Sequence, residues 1–334
     1  MNNILQFTSF LLIFSLLALN QEHRENTDPV QGFFDIGTIQ SVIIQKNSAI
    51  IAEEYTGNMH RNRTTNIKSA SKSVLSLLIG IAIEEGYMSG VEQTIDQFFP
   101  DYFEANPDPI KESITIKNLL TMQTGLETTS FRNYGRWVIS DNWMEFALNQ
   151  PVVESPGGEM IYSTGTSHLL SVILARATGM SAQQFANRYL FEPMDISVGG
   201  WDRDPQGYFM GGNNMALSPM ALLKIGNMVL NSGRFNDNQI VPESWIRESL
   251  EIYTRSNFNP YNFGYMWWHK NLNGTDVIFA WGNGGQYIMI IPELKSVISI
   301  TSDLQRNSAS RRYQREIFRH VEQHVIPFLV KADA

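Results

Sequence analysis

The sequence predicts an α+β fold, in which helices flank an antiparallel sheet and an all-helical domain is inserted into the chain. Strand-like segments lie near both ends, whereas the middle, from Val91 to Thr254, has mostly helical periodicity. Separate runs of strands and helices, without regular alternation, are typical of this class. We therefore expect the two terminal groups of strands to share one sheet, with a small-molecule cleft between sheet and helices.

The composition is that of an ordinary globular protein. The chain has 334 residues, and this length is enough for a sizeable core. Of its residues, 43% are hydrophobic and 17% are charged. We assign residues 35–334 to one domain, with a sheet subdomain over about 35–66 and 255–334 and a helical subdomain over about 67–254. Residues 21–34 are interpreted as a linker.

The first 20 residues are interpreted as an export signal. The apolar stretch Phe7 to Leu19 has the length of a signal-peptide core and is short for a membrane span. No Lys or Arg precedes it, and an uncleaved membrane anchor is the alternative. We expect a periplasmic or extracellular protein without stable membrane insertion unless this segment is retained.

Charge and cysteine content exclude several classes of function. The net charge is −8, and no cluster of Lys and Arg suggests a phosphate-binding surface, so nucleic acid is not an expected partner. The chain has no Cys, which excludes disulfides, thiolate catalysis and Cys-ligated zinc. No metal or organic cofactor is implied, and the oligomeric state is left open.

Strands and helices follow from the periodicity of the apolar residues. The apolar run after Ser69 extends nearly all round a helix that ends near Gly86, so we predict that this helix is buried. The other predicted helices are 116–122, 143–148, 167–177, 182–190, 219–230, 242–250 and 309–330. The predicted strands are 38–45, 49–55, 263–268, 277–281, 286–291 and 296–301.

The first candidate for chemistry is a Ser-x-x-Lys motif at the start of the buried helix. Ser69 and Lys72 lie at i and i+3 and share one helical face. Burial lowers the pKa of a lysine, and a neutral lysine can take the proton of a serine nucleophile. The alternative is that Ser69 is only a helix N-cap and Lys72 a solvated lysine.

Two later stretches could complete a site. Tyr162-Ser163-Thr164 precedes an apolar helix, and a lysine neighbour would depress the pKa of Tyr162 toward the phenolate. The alternative is a partly buried structural tyrosine. Gly282 to Gly285 lies between two apolar strands. Glycines there could let a backbone N–H approach a substrate closely, and the alternative is a glycine-rich bulged hairpin without a functional role.

The histidines offer no competing site. His320 and His324 lack the Glu placement of a zinc-protease motif, so we interpret them as a solvated face of the last helix. His168 is interpreted as a structural histidine. Adjacent acidic pairs such as Glu53-Glu54 point in different directions and are interpreted as surface.

Taken in order, these motifs resemble the serine β-lactamase and penicillin-binding-protein superfamily, for which Ser-x-x-Lys is a signature. The similarity extends over about residues 35–325 and is greatest to the class C-like branch, which includes family VIII carboxylesterases and 6-aminohexanoate-dimer hydrolases. Further matching stretches are 116–126, 156–163, 263–268 and 284–286 with Pro292.

The resemblance implies roles for individual residues. Ser69 is the acylated nucleophile, and Lys72 and Tyr162 are its proton-transfer partners. The oxyanion hole uses the N–H groups of Ser69 and of Asn283, or of Gly284 if the third motif is shifted. Thr164, Gly282 and Gly284 are the predicted substrate-binding positions.

Two departures from the family pattern affect the expected substrate. The third motif lacks the Lys-Thr-Gly or His-Thr-Gly of β-lactamases and D,D-peptidases, and the second ends in Thr164 instead of Asn. We therefore predict a serine hydrolase that acts on a carboxylic ester or small linear amide. The alternatives are a β-lactamase or D-alanyl-D-alanine carboxypeptidase, and an inactive binding relative.

Overall fold

The computed structural model describes residues 29–30, 32–304 and 311–332. The expected export signal, residues 1–20, lies outside the described residues, as does most of the linker.

The fold is built on an eight-stranded sheet. Its strand order is β2-β1-β13-β12-β11-β10-β9-β8, and each neighbouring pair is antiparallel. The strands of the described chain are β1 (Ile39–Lys46), β2 (Ala49–Tyr55), β3 (Thr65–Asn66), β4 (Gly200–Trp201), β5 (Met215–Leu217), β6 (Arg234–Phe235), β7 (Asn238–Gln239), β8 (Thr254–Arg255), β9 (Asn262–Phe263), β10 (Trp268–Leu272), β11 (Thr275–Gly282), β12 (Gln286–Ile291) and β13 (Ser296–Ser302).

Both ends of the chain contribute to this one sheet. Strand β1 pairs with β13, and Ile44 lies opposite Ile298 in their register. Both side chains are fully buried, so the pairing is stabilised by apolar contact as well as by backbone hydrogen bonds. The predicted antiparallel sheet with shared terminal strands is therefore confirmed.

One predicted strand is wrong. Residues 263–268 were expected to form a continuous strand, but a tight turn separates β9 from β10. The Gly264 N–H donates to the Trp267 carbonyl, and Met266 has a positive φ of 64°. The backbone N–H of Tyr265 donates to the Ser249 carbonyl, so this stretch bonds to a neighbouring segment instead of a strand. The apolar residues of the run are buried in either arrangement, and the pattern alone does not distinguish them.

Helices cover the sheet and fill the middle of the chain. They are α1 (Ser71–Glu84), α2 (Pro100–Ala105), α3 (Pro109–Glu112), α4 (Ile116–Leu120), α5 (Tyr134–Val138), α6 (Trp143–Leu148), α7 (Thr164–Thr178), α8 (Ala182–Ala186), α9 (Pro219–Leu230), α10 (Glu243–Ser249), α11 (Arg311–His320) and α12 (Ile326–Lys331). Helices α8 and α11 each continue into a π-helical turn, over Asn187–Phe191 and Val321–Val325.

Residues at the ends of α1 and α7, the two helices next to the candidate motifs, explain where these helices begin or end. Helix α1 is buried along most of its length, and Gly86, with φ of 75°, follows its end. Helix α7 begins with the Ser163 hydroxyl accepting the Thr166 N–H and ends at Gly179, which is left-handed with φ of 68°. Tyr162 therefore lies directly before a capped helix start, and Lys72 lies in the buried first turn of α1.

The middle of the chain is not purely helical. Strands β3, β5 and β4 form a small sheet, and β6 pairs with β7. Helix α9 packs directly on the main sheet, since a Cβ atom added at Gly226 would lie 2.5 Å from Val297 Cγ1. The inserted region therefore contains short strands and a sheet-covering helix, and the proposed subdomain boundaries stay a prediction.

Among the described residues, no helix is long and apolar enough to cross a membrane.

Candidate active site

The candidate site is a pocket of about 560 Å³ between the helical region and the end of the main sheet. This volume falls within the usual range of small-molecule sites. Its lining residues come from both parts of the chain: Lys68, Ser69, Ser130, Phe131, Tyr134, Tyr162, Thr164, Asn213, Asn214, Phe258, Trp281 and Asn283.

Ser69 lies in a short 3₁₀ turn, Lys68–Ala70, that leads into α1. No side-chain hydrogen bond caps either start, so the interpretation of Ser69 as a simple N-cap is wrong. Lys68 has a positive φ of 52°, and the Asn66 side-chain oxygen accepts its N–H at 2.9 Å. This unfavourable backbone conformation presents Ser69 to the pocket at the positive end of the helix.

Lys72 lies on the inner side of Ser69 and is almost completely buried, with 2% of its surface exposed. Its Nζ atom is 3.3 Å from Ser69 Oγ, 3.3 Å from Thr164 Oγ1 and 2.6 Å from the Gly212 carbonyl oxygen. Burial lowers the pKa of Lys72 to about 7. Lys72 is therefore not the solvated lysine of the alternative interpretation.

These three neighbours can all accept from the lysine, and they also accommodate a neutral amine. A neutral lysine has two N–H donors and one lone pair, whereas the charged form has three donors. The Gly212 carbonyl can only accept, so one N–H must point to it. A second N–H can point to Thr164, which leaves the lone pair facing the hydroxyl of Ser69. The geometry thus allows Lys72 to accept the Ser69 proton.

Tyr162 closes the other side of Ser69. Its ring centroid is 5.1 Å from Lys72 Nζ. Tyr162 is partly exposed and lines the pocket. Burial of the rest of the side chain raises the pKa of Tyr162 to about 12, opposed by its interaction with Ser69. The expected depression toward phenolate is wrong, because burial outweighs the neighbouring groups. Tyr162 is therefore a neutral phenol beside Ser69.

Thr164 and Ser130 form a small hydroxyl network beside the lysine. Ser130 Oγ accepts the Thr164 N–H at 2.8 Å, and the two hydroxyl oxygens are 3.0 Å apart. Both side chains are buried. Thr164, predicted as a substrate-binding position, therefore also contacts Lys72 and helps to hold its amine.

The glycine-rich run lies beside Ser69 because Gly282 has no side chain. A Cβ atom at Gly282 would be 2.0 Å from the Ile67 carbonyl oxygen, just before the turn that carries Ser69. Next in the chain, Asn283 is exposed and lines the pocket. Gly284, the alternative for the oxyanion hole, is buried and absent from the lining. Of the two candidates, Asn283 is the one placed at the pocket.

The loop Gly211–Asn214 is part of the site and was missed from the sequence. It supplies the Gly212 carbonyl to Lys72 and places Asn213 and Asn214 in the lining. A Cβ at Gly212, where φ is 80°, would lie 2.4 Å from Lys72 Cγ, so only glycine allows this approach. The signal available was the Gly-Gly-Asn-Asn run before the helix start at Ser218-Pro219.

His168 supports that loop, as expected of a structural histidine. Its Nδ1 accepts the Gly211 N–H at 3.2 Å, and its Nε2 is 2.9 Å from Asp204 Oδ2. All of His168 is buried. The loop that holds Lys72 is thus fixed to α7 through a buried histidine and carboxylate.

The interpretation of His320 as solvated is wrong. His320 is buried and its ring packs edge-on against Phe33 at 4.3 Å, whereas His324 is exposed. The N-terminal segment that covers His320 is distant in sequence and could not be inferred from the helix itself. Within the described ranges, no group of three or more His, Asp or Glu side chains could hold a metal ion.

Aromatic side chains form one wall of the pocket. Phe131 and Phe258 meet edge-on at 5.3 Å, and each ring also lies near Tyr162. Trp281 continues the wall from β11 and contacts Trp268 at 5.8 Å. Phe131 is 61% exposed, so this wall has apolar surface to offer a ligand.

Comparison with known proteins agrees with this geometry. A family model described as "Beta-lactamase" matches residues 40–321, which is most of the chain. The chain belongs to the β-lactamase family. Within this family, the 6-aminohexanoate-dimer hydrolase of Paenarthrobacter ureafaciens is 20% identical over 289 residues, covering 77% of this chain and 70% of the relative.

Several solved structures share the fold of this chain. A Bacillus anthracis protein described as a 6-aminohexanoate-dimer hydrolase has a TM-score of 0.75 at 16% identity, covering 91% of this chain and 82% of its own. EstCE1, a hydrolase with promiscuous acyltransferase activity, has a TM-score of 0.72 at 19% identity, with coverages of 88% and 97%. The octameric penicillin-binding protein homologue from Pyrococcus abyssi has a TM-score of 0.68 at 18% identity, with coverages of 97% and 77%.

Proposed function

We propose that this β-lactamase-family protein is a serine hydrolase that cleaves a carboxylic ester or a small linear amide through an acyl-enzyme. The observation that carries the proposal is the contact of Ser69 Oγ with a buried lysine, Lys72, whose pKa is about 7. A lysine in this state can be neutral near physiological pH and can act as a base toward the serine.

Acylation begins with transfer of the Ser69 hydroxyl proton to the Lys72 amine. Ser69 Oγ attacks the substrate carbonyl carbon, and the carbonyl oxygen becomes an oxyanion. The N–H groups of Ser69 and Asn283 stabilise this oxyanion, each contributing on the order of 3 kcal/mol in the transition state. Collapse of the intermediate breaks the bond to the leaving alcohol or amine and leaves an ester on Ser69.

Tyr162 relays the proton to the leaving group. Because the pKa of Tyr162 is about 12, it is a neutral phenol that can donate its proton as the leaving group departs. The Lys72 ammonium then returns a proton to the phenol oxygen. In deacylation, Lys72 takes a proton from water, the resulting hydroxide attacks the acyl carbon, and Ser69 recovers its proton as the acid leaves.

The pocket supports esters and linear amides over β-lactams and D-alanyl peptides. At the position of the third motif, Trp281 near the end of β11 contributes an indole and Asn283 after the strand contributes an amide, in place of the cation and hydroxyl that β-lactamases carry there. The aromatic wall of Phe131, Phe258 and Trp281 suits an apolar acyl or leaving group. Names of relatives, a 6-aminohexanoate-dimer hydrolase and the hydrolase EstCE1, agree with this choice.

A substrate panel tests the proposal. We expect the protein to hydrolyse p-nitrophenyl acetate or butyrate, or a linear anilide, faster than nitrocefin, and S69A to lose this activity. The control is S76A, on the same helix, because Ser76 Oγ is buried and has no hydrogen-bond partner among the described residues. Faster turnover of nitrocefin would favour a β-lactamase, and no turnover of any substrate would favour an inactive relative.

Export is proposed separately, from residues 1–20 alone. Mass spectrometry of protein recovered from the periplasm or medium would test it, and recovery only from the cytosol with an intact N-terminus would contradict it.

A further inference from the structure

The charge of the pocket lining is unbalanced. Among the described residues that line it, Lys68 carries a formal charge and none is Asp or Glu. Lys72 lies deeper and is not part of the lining. A pocket with a cation at its surface and no acid is electrostatically favourable for an anionic group of a ligand.

Lys68 is held at this surface by its backbone. Its N–H donates to Asn66 Oδ1 at 2.9 Å, and its positive φ of 52° is maintained directly before Ser69. The side chain of Lys68 therefore starts from the residue next to the nucleophile. A bound group that reaches its ammonium must also be close to the reacting carbonyl.

The ammonium of Lys68 has few hydrogen-bond partners in the described structure. Its Nζ lies 3.5 Å from Asn214 Oδ1, which is a long contact, and it forms no ion pair with any described residue. Asn214 Oδ1 already accepts from Asn66 Nδ2 at 3.0 Å, and its Nδ2 donates to Asp202 at 2.9 Å. The ammonium has three donors, so most of its hydrogen-bonding capacity is available to a ligand.

The pocket lining contains two kinds of side chain. Phe131, Phe258 and Trp281 are apolar, whereas Lys68, Asn213 and Asn214 present an ammonium and two amides. A substrate that contacts both kinds of side chain would have an apolar portion and an anionic end.

We propose that Lys68 binds a carboxylate of the substrate, so that the preferred substrates are esters or amides bearing a negatively charged group near the scissile bond. This inference rests on the proposed function, because it assigns the substrate class of the same site. A carboxylate bound to an ammonium is a charge-assisted hydrogen bond, which discriminates against a neutral group by about tenfold to hundredfold.

The test compares two matched pairs of substrates. Mono-p-nitrophenyl glutarate and p-nitrophenyl pentanoate differ by a carboxylate in place of a terminal methyl on the acyl side. The esters of pentanoate with 4-hydroxybenzoate and 4-hydroxybenzamide place the charge on the leaving group. The measured quantity is the ratio of kcat/KM for charged over neutral substrate, in which losses common to both cancel. We expect a ratio above one for at least one pair.

Two variants separate charge from shape. K68M removes the ammonium at similar length and should lower that ratio about tenfold to hundredfold, whereas K68R keeps the charge and should retain it. A ratio below one for both pairs in the wild type, or one that K68M leaves unchanged, would overturn the inference.

A binding measurement keeps this result separate from that of the proposed function. Calorimetry with mono-p-nitrophenyl glutarate on S69A, which lacks the nucleophile, should show binding about tenfold or more tighter than on K68M/S69A. Equal affinity would overturn the role of Lys68. If the wild type hydrolyses none of the four esters but this difference holds, the proposed hydrolase fails while the anion site stands.

Discussion

Lys72 Nζ donates a 2.6 Å hydrogen bond to the carbonyl oxygen of Gly212, a residue 140 positions further along the chain. A peptide carbonyl is too weak a base to take the proton of Ser69. It therefore orients the amine and leaves the role of base to Lys72. Burial lowers the pKa of Lys72 to about 7, and the neutral amine can then turn its lone pair toward Ser69 Oγ, 3.3 Å away. The main predictions follow from this arrangement.

The rate should depend on the protonation of Lys72. The pKa of Lys72 is about 7, so below that pH the ammonium predominates and cannot accept the Ser69 proton. We expect kcat/KM for p-nitrophenyl butyrate to rise about tenfold per pH unit below the pKa and to level off above about pH 8. A rate that is flat from about pH 5 to 8 would contradict a lysine base.

The free energy of unfolding should also depend on pH because of the low pKa of Lys72. Lys72 has a pKa of about 7 in the folded protein against 10.5 for an unperturbed lysine, so between these values the unfolded chain binds one more proton. The free energy of unfolding should therefore rise with pH, relative to K72M, by up to about 1.4 kcal/mol per pH unit between about pH 7.5 and 9.5. Urea denaturation of both proteins measures it, and parallel pH profiles would show that Lys72 has an ordinary pKa.

Removal of the Tyr162 hydroxyl should slow the reaction. Because the proposed mechanism has that hydroxyl relay a proton, Y162F should lower kcat by about 10²- to 10⁴-fold. The control is Y102F, since Tyr102 hydrogen-bonds Asn149 at 2.7 Å and is not among the pocket-lining residues. Wild-type kcat in Y162F would assign Tyr162 to packing alone.

A methyl group at Gly282 should separate the glycine-rich run from the Ser69 turn. A Cβ atom there would lie 2.0 Å from the Ile67 carbonyl, so G282A must displace β11 or the turn. Misplacement of reacting groups by about 1 Å can lower rates about 10²-fold, and we expect a loss of that order in kcat. The control is G200A, where an added Cβ meets nothing within 4 Å. Equal kcat and Tm in G282A and wild type would contradict this packing.

The candidate residues that sequence reasoning named, and that the structure brings together, are those that depend on local spacing. Ser69 and Lys72 share a helical face at i and i+3, and Tyr162 stands just before a capped helix start, so all three could be named in advance. The sheet was predictable because apolar alternation is local, and the order of strands and helices along the chain indicates how they assemble.

The features that the sequence analysis predicted wrongly or missed depend on contacts between distant segments. The direction of the Tyr162 pKa shift is set by burial, to which distant segments contribute, and the rings of Phe258 and Trp268 pack near the Tyr162 ring. The turn at Gly264 is held by the Ser249 segment, and the role of Gly212 arises from its contact with Lys72. Such contacts leave no periodic signal in the sequence.

Covalent labelling of Ser69 tests the account most directly. A fluorophosphonate probe reacts with an activated serine and does not require knowledge of the natural substrate. Intact-protein mass spectrometry should show one adduct on the wild type and on S76A, mapped by peptide fragmentation to Ser69, and none on S69A. An adduct on Ser130, which lines the same pocket, or no adduct on the folded wild type, would contradict Ser69 as the nucleophile.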